Sequence, residues 1–183
     1  MSTSGVFRAF YAVPFEGGVA RSLEAAARAR VGALPGWRVT PAERIHLTLR
    51  FLGDTALDLV PRLAATLREA ADRAPFPLAL RGWIPLPGVL SVGVSDPTGS
   101  LPRLAAAVGY HEPRPFLPHV TVARIRIRSV PPPASGRGED VLAETTVNRI
   151  VLMRSTLGSG GPTYAVVAEA MLNETATHPR RKS

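Results

Sequence analysis

The sequence predicts an α+β protein, and three observations carry that expectation. Eight segments read as strands and three as helices, in the order strand-helix-strand-strand-helix, then strand-strand-helix-strand-strand-strand. One pattern, His-x-Thr-x with aliphatic residues at x, occurs twice, 73 positions apart, each time on a predicted strand. The length, 183 residues, suits one domain or two small, closely packed lobes.

The elements follow from local composition. Residues 6–13 form a mixed apolar strand that Pro14 and Gly17-Gly18 end. Residues 18–32 are rich in Ala, Leu, Glu and Arg and predict a helix. After the Pro35-Gly36 turn comes a short strand at 37–39, then a motif strand at 45–51 that Gly53-Asp54-Thr55 breaks. Residues 57–74 predict a second helix, with Leu59, Leu63 and Leu67 on one stripe. Strands at 75–84 and 88–94 precede a loop, 96–99, with a capping candidate, and a helix at 101–110. The second motif strand is expected over 118–127 and a proline-rich loop over 129–140. Segments 143–153 and 163–172 predict a closing hairpin, and 173–183 a basic, disordered tail. Residues 1–172 are thus expected to be the folded domain.

The two motifs are the centre of the chain. The first lies in Glu43-Arg44-Ile45-His46-Leu47-Thr48-Leu49-Arg50-Phe51-Leu52-Gly53. The second lies in Phe116-Leu117-Pro118-His119-Val120-Thr121-Val122-Ala123-Arg124. Side chains two apart on a strand share a face. His46 and Thr48 therefore point one way, and Leu47, Leu49 and Phe51 the other, into a core. His119 and Thr121 repeat that geometry, with Val120 and Val122 buried. A lone histidine on a strand is usually structural. Two copies in a chain with four histidines point instead to a shared site.

Composition bounds the function. The chain is 45% hydrophobic, enough for a proper core, and has no apolar run of 18 or more residues to span a membrane. The first five residues show no secretory pattern, and a cytoplasmic location is expected. There are no cysteines, hence no disulfides, no thiolate nucleophile and no zinc-thiolate site. The net charge of +8 comes almost entirely from arginine. Arginine forms bidentate contacts to phosphate, so a polyanionic partner fits. Arginine-rich usage also follows from a GC-rich genome.

On these motifs the chain resembles the two-histidine phosphoesterase superfamily, and within it the RNA 2′,3′-cyclic phosphodiesterases. Residues 8–13 look like that family's opening strand, and Leu152-Met153-Arg154-Ser155, Gly161-Pro162 and Tyr164 like its closing hairpin. The resemblance implies a bilobal α+β fold: two antiparallel β-sheets with outer helices, in pseudo-duplicated lobes around a central cleft. It implies hydrolysis of RNA 2′,3′-cyclic phosphate ends to 2′-phosphates. That scheme requires no metal or other cofactor, the sequence shows no metal-ligand cluster near either motif, and a monomer is expected.

The residue types suit that chemistry. Opening a cyclic phosphate with water needs a base on one side of phosphorus and an acid on the other. Imidazole, with an ordinary pKa of ~6.5, can serve as either. Such help is worth on the order of 10²–10⁴ in rate. Carrying over the family's roles makes His46 the acid and His119 the base, although near-symmetric motifs leave the two exchangeable. Thr48 and Thr121 would hydrogen-bond the non-bridging oxygens. Arg124 matches the family's arginine after the second motif. Strict alternation turns it away from His119, so a twist or bulge is required. Arg50 shares the parity of His46, but lies about 13 Å along the strand and would touch a neighbouring phosphate. Phe10 could stack a base or pack in the core. His111 and His178 look incidental. Three other readings stay open: a phosphodiesterase for a small cyclic nucleotide, 2′-5′ RNA ligation in the same site, and an RNA-binding module without turnover.

Overall fold

The computed structural model describes residues 5–111, 113–125, 141–158 and 161–173. The proline-rich loop 129–140, His178 and all but the first residue of the expected tail fall outside them. Three α-helices and nine strands, with two short 3-10 turns at Ala42–Arg44 and Leu57–Leu59, follow one another along these residues. They are β1 (Val6–Pro14), α1 (Gly17–Val31), β2 (Trp37–Val39), β3 (His46–Ala56), α2 (Val60–Ala70), β4 (Phe76–Leu86), β5 (Val89–Ser95), α3 (Ser100–Ala107), β6 (His119–Ile125), β7 (Val141–Val147), β8 (Arg149–Gly158) and β9 (Gly161–Met171).

The strands line up in the order β7-β4-β5-β6-β3-β1-β8-β9, with β2 also on β6, and every pairing is antiparallel. The order divides into two arms. β3, β1, β8 and β9 form a first half, and β6, β5, β4 and β7 a second, with β2 alongside it. One backbone-paired position, Leu47 with Val120, joins β3 to β6. The two antiparallel sheets expected from the sequence thus meet edge to edge, each with its motif strand innermost. Both halves feed one core, where Tyr11, Leu47, Leu80, Val92, Val120 and Leu152 are fully buried. Each such side chain contributes roughly 1.5–3 kcal/mol by leaving water.

The helices cross between the halves. α1 follows β1 but packs its stripe of Ala20, Leu23, Ala27 and Val31 over β2, β6 and β7. α3 follows β5 but lies beside β3 and α2, while α2 covers β8 and β9. The Asp96 carboxylate secures the start of α3. It accepts hydrogen bonds from the backbone of Thr98 (3.0 Å) and Leu101 (2.6 Å), as a capping residue does. Burial pushes its pKa up, but the hydrogen bonds outweigh this and leave the carboxyl below its ordinary value.

Two expectations are corrected. Residues 143–153 are not one strand of a closing hairpin. The chain breaks at Asn148: β7 pairs with β4 at the far edge of the second half, and β8 with β1 in the first. The closing hairpin is β8-β9. Nor does Gly53 end the first motif strand. β3 runs on to Ala56, because Gly53 takes a left-handed backbone (φ 69°) that carries the strand through an irregularity.

Candidate active site

Burial settles which way the motif side chains point. Leu47 and Val120 are fully buried on the core side of the junction. Their strand neighbours His46, Thr48, His119 and Thr121 must face the other side. All four line one cavity of about 580 Å³. Because the strands run antiparallel through the Leu47–Val120 pair, His46 stands across from Thr121 and Thr48 across from His119. The two histidines are therefore diagonal neighbours across the junction, a relation that puts β-carbons roughly 7–8 Å apart in a regular sheet.

Each imidazole is held the same way. His46 Nδ1 donates to the Arg44 carbonyl at 2.8 Å, and His119 Nδ1 donates to the Leu117 carbonyl at 2.8 Å. A carbonyl only accepts, so the proton sits on Nδ1 and the neutral ring keeps a lone pair on Nε2. Both rings thus offer the same nitrogen for proton transfer.

Their surroundings differ. The His46 ring lies 4.9 Å from that of Phe10 and 5.0 Å from that of Tyr164, and Phe10 and Tyr164 meet at 5.2 Å. This aromatic wall buries His46 and lowers its pKa to about 4. The Arg44 carbonyl pulls upward and the Arg124 guanidinium adds a further push down. Burial likewise raises the Tyr164 phenol above its ordinary value, against the opposing pull of Arg124 and Arg44.

β-Bulges decide the remaining residues. In the β5-β6 ladder, Leu90 pairs with Ala123 and Ser91 with Thr121, so Val122 is an extra residue in β6. Val122 and Ala123 are both buried, and Arg124 returns to the face of His119 and lines the cavity. This is the bulge that its reach into the cleft required. β3 has two extra residues, Leu52 beside Gly53 and Leu49, the latter because Tyr11 pairs with Arg50 and Ala12 with Thr48. That shift reverses two expectations. Arg50 turns away from the cavity and donates to the Val108 carbonyl at the C-terminal end of α3 at 2.9 Å. Phe51 turns out of the core to the cavity rim, 73% exposed. Phe10 does line the cavity, but at 2% exposure it is a wall behind His46 rather than a free stacking face.

The sequence reading missed Arg8, Arg38 and Arg44, which also line the cavity, and the contact of Tyr164 with His46. Arg44 had a usable signal, two residues before His46. Tyr164 had none, since its place depends on the pairing of distant strands. No Asp or Glu occurs among the described lining residues. The charged lining residues are all arginines, which suits an anion. Among the described residues no three His, Asp or Glu side chains gather as a metal site, and no helix is long and apolar enough to cross a membrane.

A sequence profile described as LigT like Phosphoesterase matches residues 16–85. A Thermus thermophilus protein named RNA 2′,3′-cyclic phosphodiesterase is 33% identical, over 90% of this chain and 90% of its own. The chain belongs to the LigT-like phosphoesterase family. An Aquifex aeolicus protein of the same name is 32% identical over 71% of this chain and 79% of its own. The crystal structure of a Thermus thermophilus protein matches with a TM-score of 0.75 and 30% identity, covering 90% of this chain and 97% of that one. E. coli LigT complexed with 3′-AMP shares the fold, with a TM-score of 0.75 and 23% identity over 93% of this chain and 100% of that one.

Proposed function

We propose that this protein is an RNA 2′,3′-cyclic phosphodiesterase that opens the cyclic end to a 2′-phosphate. The observation that carries the reading is the crossing of the two motifs at Leu47–Val120, which brings two identically held imidazoles and two threonines into one arginine-lined cavity. A phosphate between the rings meets a proton-transfer group on either side, as an in-line displacement needs. Water attacks phosphorus and gives its proton to one Nε2. The bond from phosphorus to O3′ breaks, and the other ring protonates the departing oxygen. Thr48 and Thr121 donate to the non-bridging oxygens, and Arg124 balances their charge. Relatives with the same name support the substrate class.

In this scheme His46 is the acid and His119 the base. The low pKa of His46 favours a second reading with the roles exchanged, because its free ring is neutral at pH 7, as a base must be. A phosphate bound between the rings would favour the first assignment. Its negative charge would offset the push of Arg124 and the burial, and so raise His46 towards the range of a working acid.

The test is turnover of a cyclic-ended oligonucleotide in EDTA, with the product's phosphate position read by NMR. Loss of turnover in both His46→Ala and His119→Ala, with circular dichroism unchanged, is expected. Near wild-type rates in both variants would refute the proposal. NMR titration of His46 with and without the 2′-phosphate product separates the two role assignments: a rise on binding supports His46 as acid.

A further inference from the structure

We infer that the open face of the first half, with Phe51 at its rim, is a stacking platform for the nucleotides upstream of the cyclic-phosphate end. The inference rests on the hydrolase reading and extends it to how the rest of the RNA is held. Strand register places Phe51, Phe10, Met153 and Val166 in one row on the cavity side of β3, β1, β8 and β9. Directly paired residues share a face. Phe51 is 73% exposed at one end of this row and Val166 53% at the other. Farther along, Leu157 at the cavity edge is 66% exposed. Helix α2 covers the opposite face of β8 and β9.

An exposed phenylalanine is ordinary in isolation, but this one is delivered by a specific distortion. Without the extra Leu49, Phe51 would fall on the core side with Leu47. Its ring rests 5.9 Å from that of Phe10, which is buried against His46. The platform and the reacting end therefore share one rigid support, with the Phe51 ring within about 11 Å of the His46 ring.

The charges select the occupant. Arg8 is exposed on the same face and lines the cavity with Arg44 and Arg124, while Asp54 stands opposite Arg8 at the strand end. Aromatic faces flanked by cations are what unpaired RNA uses, since every base can stack and every phosphate is anionic. A second copy of the chain could also cover an apolar face. It would bring two +8 molecules together through their arginine-lined clefts.

The experiment compares kcat/KM for a 2′,3′-cyclic mononucleotide and for an oligoribonucleotide with the same end, in wild type, Phe51→Ala and Phe51→Tyr. Phe51→Ala is expected to lower the oligonucleotide value about tenfold more than the mononucleotide value, mainly through KM, and Phe51→Tyr to restore it. Equal losses on both substrates, or none, overturn the platform. So does a concentration-dependent dimer that Phe51→Ala dissociates, seen by light scattering. If the wild type turns over neither substrate, the hydrolase reading fails by itself. The platform is then judged on fluorescence anisotropy of a labelled oligoribonucleotide ending in a 2′-phosphate. Phe51→Ala must weaken that binding about tenfold, and unchanged binding overturns it.

Discussion

The two motif strands hold their histidines by the same bond and in mirrored register, yet surround them differently. His46 is enclosed by Phe10 and Tyr164, which lowers its pKa to about 4. His119 has no ring partner among the described residues, and its strand pairs with Gly93 and Ser91 of β5. The repeated sequence thus supplies matching geometry, and the neighbours supply the chemical difference. The proposed reaction, which gives a proton on one side and takes one on the other, would use both.

Removing either ring breaks the comparison outright. His46→Ala and His119→Ala are each expected to lower kcat on a cyclic-ended oligonucleotide by about 10²–10⁴. Arg124→Gln comes next, with about 10- to 100-fold lost from kcat/KM. The same change lets the His46 pKa rise, because Arg124 contributes to its depression; a proton titration by NMR reads this. Phe10→Leu opens the wall behind His46 and should lift its pKa towards ~6.5, at a cost of about tenfold in kcat.

The smallest expected effect is on stability. The folded pKa of His46 lies below its unfolded value, so the unfolded chain takes up the proton first as pH falls. The stability held by the neutral ring is complete above about pH 6.5 and is lost between there and about pH 4. His46→Gln should flatten urea midpoints across that window. An unchanged slope would show that His46 is not buried as described.

Much of this arrangement was legible in the sequence. The alternation around His46 and His119 gave the shared face, and the apolar positions 47, 49, 120 and 122 gave the core side. What escaped was wherever alternation slips. Leu49 and Leu52 are ordinary strand residues, and nothing local marks them as insertions; a slip before Arg124 was required by its parity, but nothing local marked Val122 as its place. Arg50 and Phe51 exchange faces because of Leu49, and Arg124 regains the cavity because of Val122. The split at Asn148 was hidden for a related reason. A β-branched run flanks it on both sides, and only pairing with β4 and β1 shows that the two pieces belong to opposite arms.

The exchange of helices between arms has a practical outcome for anyone who divides this chain. α1 sits on strands that come later in the sequence, and β8 and β9 complete a half begun by β1. The first arm is not a continuous stretch of polypeptide, and the second, continuous from β4 to β7, borrows α1 and β2 from before it. Separate expression of residues before and after Pro75 should yield two insoluble fragments, while co-expression should let them reassemble. An autonomous, well-dispersed spectrum from either fragment would show that the arms are less interlocked than their wiring implies.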